Sequence, residues 1–198
     1  MQSTELATQD QDTLLEIARS SIVHGFKQGG PLEAAQLAEA GVMSGALASP
    51  RATFITLRKH GDLRGCVGSL EHEFPLAVDV ARNAFHAAFM DTRFMALKVA
   101  ELDVVRIEVT LLSPHQELVF RSEEHLLSLL VPGRDGLVLD YEGRRATFLP
   151  QVWEQLPDPR EFVAQLKLKA GLPGDYWSGA IKAYRYHAEH FAEPAPVH

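Results

Sequence analysis

A chain of 198 residues, 46% hydrophobic and 23% charged, can bury roughly 70% of the surface its unfolded form exposes, so it needs neither disulfides nor a structural metal to fold. Its single cysteine cannot staple the chain to itself, which points to a reducing compartment, and a net charge of −7 argues against bulk attraction to nucleic acid or an anionic membrane. No apolar run approaches the ~18 residues of a membrane span, and Met1 to Asp12 lacks the basic and apolar regions of a leader, so the expected location is the cytoplasm.

Residues 1–11 are polar and aperiodic and read as a tail. Thr13 with Glu16 forms a capping box, and Leu14, Ala18, Ile22 and Phe26 keep to one face of a helix that Gly29-Gly30 stops. Pro31 opens a second, alanine-rich helix to about Ala40, and a loop follows to Pro50. Arg51 to Arg58 alternates as a strand, and Lys59-His60-Gly61-Asp62 turns it back into Leu63 to Ser69 as a hairpin. Phe74, Val78, Ala81, Phe85, Ala88 and Phe89 recur at helical spacing up to Met90. From Asp103 to Ser113 an apolar set, Val105, Ile107, Val109 and Leu111, alternates with a polar one, Arg106, Glu108 and Thr110.

The second half is shorter in its rhythm. Leu118 to Phe120 reads as a small strand, and Ser122 caps a helix to Leu130. Gly136 to Tyr141 and Arg145 to Leu149 form a hairpin about Glu142-Gly143. Asp158 followed by Pro159 and Glu161 starts a helix that Gly171 and Pro173 end. Tyr184 and Tyr186 favour a single strand over Ile181 to Glu189. Hairpins interspersed with helices predict an α+β fold: a mixed, mostly antiparallel sheet with flanking helices and a small subdomain. The domain spans residues 12–192, and 193–198 is a tail.

The segment with most chemical content is Leu63-Arg64-Gly65-Cys66-Val67-Gly68. A two-residue strand period puts Arg64 and Cys66 on one face, and a cation beside a thiol favours the thiolate. Gly65 and Gly68 bare the backbone on either side, as where a ligand or another segment comes close. Cys66 is thus the candidate nucleophile and Arg64, Gly65, Gly68, Asp91 and Arg93 the candidate ligand-binding set, the thiol sharing a cleft with Arg64 and the loop from Asp91 to Phe94. His86 is the candidate base and Glu108 a carboxylate able to orient one. Against this stand plainer readings: a buried packing thiol, a surface ion pair for Arg64, and an Asp91–Arg93 pair that only fixes its loop. His187 and His190 do not make a metal signature, so neither a metal nor a cofactor is expected.

Taken with Ala87-Ala88-Phe89, Asp91-Thr92-Arg93-Phe94, Ile107-Glu108-Val109 and Leu168-Lys169-Ala170-Gly171-Leu172, this segment resembles the AMMECR-type domain family. The motifs span about residues 14–191. The resemblance implies an α+β fold with a main sheet and a smaller subdomain. It also implies, as partners, a Memo-like dioxygenase homologue and a radical S-adenosylmethionine protein of the AmmeMemoRadiSam system. Two functions remain open: a small cysteine-dependent enzyme acting on an anionic small molecule or modified macromolecule, and a non-catalytic ligand- or protein-binding adaptor using the Cys66 strand. A base near the thiol would separate them.

Overall fold

The computed structural model describes residues 6–194. Among the described residues, five α-helices and eight strands are arranged in two compact units, one running to Leu112 and resuming at Glu189, the other Ser113–Ala188. The α+β expectation holds, with a four-stranded sheet in each unit.

The first unit opens with α1, Thr8–Gln28, and α2, Ala34–Glu39. β1, Thr53–Lys59, and β2, Asp62–Gly68, form the expected hairpin; α3 is Leu76–Phe89 and β3 is Val105–Leu112. With the last strand, β8, Ala188–Ala192, the sheet order is β2-β1-β3-β8. His60 and Gly61, at φ 52° and 91°, make the two-residue turn whose twist suits a hairpin. Ile55, Leu57, Ile107, Val109 and Leu111 face the helices and are fully buried, each contributing about 1.5–3 kcal/mol. Small residues on α3, Ala77, Ala81, Ala84 and Ala88, let it press between α1 and the sheet.

The N-terminus of α1 lies five residues ahead of the expected Thr13 cap. Thr13 instead bonds back to the Gln9 carbonyl within the helix. Glu189 of β8 accepts from the Leu6 amide and the Gln11 side chain, so a partner distant in sequence stabilises a turn that local signals leave polar. The proposed tail therefore loses residues 8–11 to the helix, and residues 1–5 lie outside the described residues. Glu193, also assigned to a tail, pairs with Arg19 and accepts from the Ile107 amide at 2.8 Å; residues 195–198 lie outside the described residues.

The second unit contains β4, Gln116–Glu117, α4, Glu123–Leu129, β5, Gly136–Tyr141, β6, Arg144–Phe148, α5, Pro159–Lys169, and β7, Lys182–Tyr186, with sheet order β4-β7-β5-β6. Its core stacks Trp153 on Phe162 at 3.7 Å between ring centroids. Lys167 is fully buried there, bonded to Glu123 and the Gly174 carbonyl, as a buried cation requires. The single strand expected over Ile181 to Glu189 is two strands, one in each sheet. His187 interrupts it: its amide donates to Ser113 Oγ and its carbonyl accepts from the Ser113 amide, both at 2.9 Å.

Candidate functional site

The hairpin pairs Leu57 with Gly65 but Arg58 with Leu63, so Arg64 is an extra residue at a β-bulge. That one residue breaks the two-residue period. Arg64 shares Glu101 with Lys59, which lies two positions from Leu57 on the helix-facing side of β1. Cys66 lies opposite Thr56, on the polar face of the sheet. The expectation that Arg64 and Cys66 share a face is overturned.

The cation beside Cys66 is Arg93. β2 is an edge strand, and its outward polar groups need partners. Just past α3, whose end is tied to the following loop by the bond from the Leu97 amide to the Ala88 carbonyl, Asp91 and Arg93 supply them. Asp91 Oδ2 accepts from the Cys66 amide at 2.9 Å, and Arg93 Nη2 donates to the Cys66 carbonyl at 3.0 Å. The two side chains also bond each other in a fork, at 2.7 and 3.0 Å. They act as a short substitute for a neighbouring strand. The Arg93 guanidinium holds the Asp91 carboxyl well below the usual carboxylate range despite its burial. Of the two readings posed for Asp91 and Arg93, the pair that fixes its own loop is present; both side chains also bond the Cys66 backbone.

Because the Cys66 amide and carbonyl point away from β1, Cys66 and Thr56 form the closer type of antiparallel pair. Thr56 Oγ1 donates to Sγ at 3.4 Å. Next along the same row, Thr56 lies opposite Glu108, which is nearly buried and is held by Arg58 Nε at 3.0 Å and Arg106 Nη1 at 3.4 Å. Glu108 thus stands in the row with the thiol, one strand removed and already charge-paired.

The remaining candidates lie elsewhere. A Cβ on Gly65 would come 2.2 Å from the Ala87 carbonyl oxygen, and one on Gly68 would come 2.4 Å from the Phe54 ring and the Thr53 carbonyl. The protein's own atoms fill that space, so close packing accounts for both glycines. His86 is on α3, across the sheet from Cys66, in a cleft of about 280 Å³ with Val67, Gly68, Asp79 and Arg82. Burial and, secondarily, Arg82 lower its pKa. The base role loses its geometric footing.

Asp79 stands among the apolar residues of α3, outside the candidate set. Its buried carboxylate accepts from the Thr53 amide and hydroxyl, Ser69 Oγ and Asn83 Nδ2. Burial raises its pKa, and the bonds from Thr53 and Ser69 oppose the rise. The spacing of Asp79 and Asn83, four apart inside an otherwise apolar face, is the signal that could have revealed it.

An α+β chain with its only cysteine clamped on an edge strand by an Asp-x-Arg loop defines a class by its architecture. The AMMECR1 family's sequence model matches residues 15–191, and the chain belongs to that family. It is 40% identical over 141 residues to a protein of Thermofilum pendens, covering 70% of this chain and 66% of that one. It is 31% identical over 201 residues to Protein MK0488 of Methanopyrus kandleri, covering 97% and 92%. A crystal structure of the uncharacterized protein PH0010 from Pyrococcus horikoshii superposes with a TM-score of 0.82 at 30% identity, covering 96% of this chain and 95% of that one.

Proposed function

We propose that the protein is a binding module for an anionic ligand, received on the polar sheet face beside Cys66. One observation carries this reading: Arg93 is oriented by Asp91 and bonded to the Cys66 carbonyl, with its side chain 56% exposed. A fixed guanidinium that keeps an open edge suits a carboxylate or phosphate. Arg58, 40% exposed beside Glu108, extends the positive surface along the row. The sulfur accepts from the Thr56 hydroxyl, and Asp91 is committed to Arg93 and the Cys66 amide, which favours binding over base-assisted attack. A cysteine-dependent enzyme acting on an anionic substrate is the second reading, and a guanidinium bonded to the Cys66 carbonyl, able to hold such a substrate next to the thiol, favours it. The Memo-like and radical S-adenosylmethionine partners belong to either reading and rest on the family resemblance.

The single cysteine makes the test clean. Alkylation by anionic iodoacetate is compared with alkylation by neutral iodoacetamide, in the native and in the urea-unfolded chain. The anion's relative rate is expected to be about fivefold higher in the native protein, the equivalent of ~1 kcal/mol for a partly exposed ion contact. Arg93→Gln should abolish the preference, Arg93→Lys should retain much of it, and Arg64→Gln should leave it unchanged. An equal ratio in native and unfolded chains refutes the anion site. The enzyme reading further requires that the native thiol outrun the unfolded one towards iodoacetamide.

A further inference from the structure

Arg64, carried by the bulge away from Cys66, lines a cavity of about 520 Å³ with Lys59, Lys98, Glu101, Phe94 and Met95. That volume lies within the ~300–1,000 Å³ usual for small-molecule sites. We propose that this cavity is a binding site in its own right, separate from the Cys66 face, and that it takes a small organic anion with an apolar arm.

The charge balance indicates the anion. Three cations line the cavity with one carboxylate, in a chain whose overall charge is −7. Glu101 is fully engaged: it accepts from Lys59 Nζ at 3.0 Å, Arg64 Nε and Nη2 at 3.1 and 3.0 Å, and the Lys98 amide at 3.0 Å. Arg64, with Lys59 secondary to it, holds the Glu101 carboxyl down to about 2, so it stays charged and keeps both cations in place. One negative charge cannot neutralise Lys59, Arg64 and Lys98 together. The Arg64 side chain is only 15% exposed, so its position is set by packing before any ligand arrives, which lowers the entropy cost of binding.

The other wall indicates the apolar arm. Phe94 is half-buried, while Met95 is 79% exposed. An exposed methionine next to a phenyl ring is an adaptable apolar contact, and its exposure is unexplained by packing. Inorganic phosphate would leave this wall unused, a neutral hydrocarbon would leave the cations unused, and a metal ion would be repelled by them. An amphipathic carboxylate, phosphate or sulfonate uses both.

The test uses 8-anilinonaphthalene-1-sulfonate, an aryl sulfonate whose fluorescence reports an apolar surrounding, with the full-length protein. Saturable binding of one dye per chain is expected, displaced by octanoate but not by 1-octanol at equal concentration. Lys98→Gln and Met95→Ser alter exposed side chains and should leave the fold intact. Each should weaken dye binding by about threefold to tenfold, the scale of one charge-assisted or apolar contact. Cys66→Ser and Arg58→Gln, on the other face, should leave the dye's affinity unchanged. Non-saturating dye uptake, equal displacement by octanol, or wild-type affinity in both cavity variants would overturn the proposal.

Discussion

The two sides of β2 differ in how they treat an arginine. On the helix-facing side Arg64 is packed, shares Glu101 with Lys59 and borders a cavity with an apolar wall. On the polar side Arg93 stays largely exposed, is fixed by Asp91 and serves the backbone of Cys66. Two residues apart in the chain, Arg64 and Cys66 belong to different chemical surroundings because one extra residue turned the strand between them. A motif compact in sequence is therefore split in space, and its two cationic environments invite separate ligands.

The largest blow to this division should come at Gly65. Alanine there places a Cβ 2.2 Å from the Ala87 carbonyl oxygen, and the obstacle is helix backbone that cannot swing aside. Gly65→Ala is expected to cost about 3 kcal/mol in a urea unfolding titration, at the upper end of overpacking losses. A wild-type midpoint would mean that Gly65 does not face α3, and the bulge that separates Arg64 from Cys66 would fall with it.

A smaller loss tests the clamp. Asp91→Ala removes the acceptor of the Cys66 amide and the anchor of Arg93, and about 2 kcal/mol of stability should go with these charge-assisted bonds. The iodoacetate preference should fall in the same variant, since Arg93 is no longer aimed. Unchanged stability with unchanged preference would show that the loop merely lies beside the strand.

Acid should bring out the smallest effect. The folded-state pKa of Glu101 is depressed to about 2 from an ordinary value of 4.5, so the unfolded chain binds its proton first as the pH falls. Its contribution is fully present above about 4.5 and is lost as the pH drops towards 2. Asp91 acts in the same direction. Glu101→Gln should flatten the stability profile in that window while leaving the iodoacetate preference intact; an unaltered profile would place Glu101 outside the Arg64 pair.

Much of the architecture was legible locally. The β1–β2 hairpin, the apolar face of α3, the alternation along β3 and the Asp158 cap of α5 each depend on neighbours within a few positions, and periodicity or turn chemistry reports them directly. The grouping of Cys66 with Asp91 and Arg93 was also visible as a loop meeting a strand. The bulge at Arg64 was not, because its register answers to α3 pressing on Gly65 and to the two-residue turn at His60-Gly61 acting together. His187 looked like the middle of one strand because only Ser113, 74 positions away, shows that the strand ends there.

Composition, period and turn residues by themselves determined an α+β chain with its one thiol on an early hairpin strand. These are properties of spacing, and spacing survives without knowing what a segment packs against. Which cation stands by that thiol was decided only in three dimensions, where the edge of β2 needed partners for its outward amide and carbonyl and the end of α3 lay close enough to offer Asp91 and Arg93. Hydrogen-bond demand at a sheet edge is met by whatever the fold brings there, so sequence proximity favoured Arg64 while the tertiary structure selected Arg93.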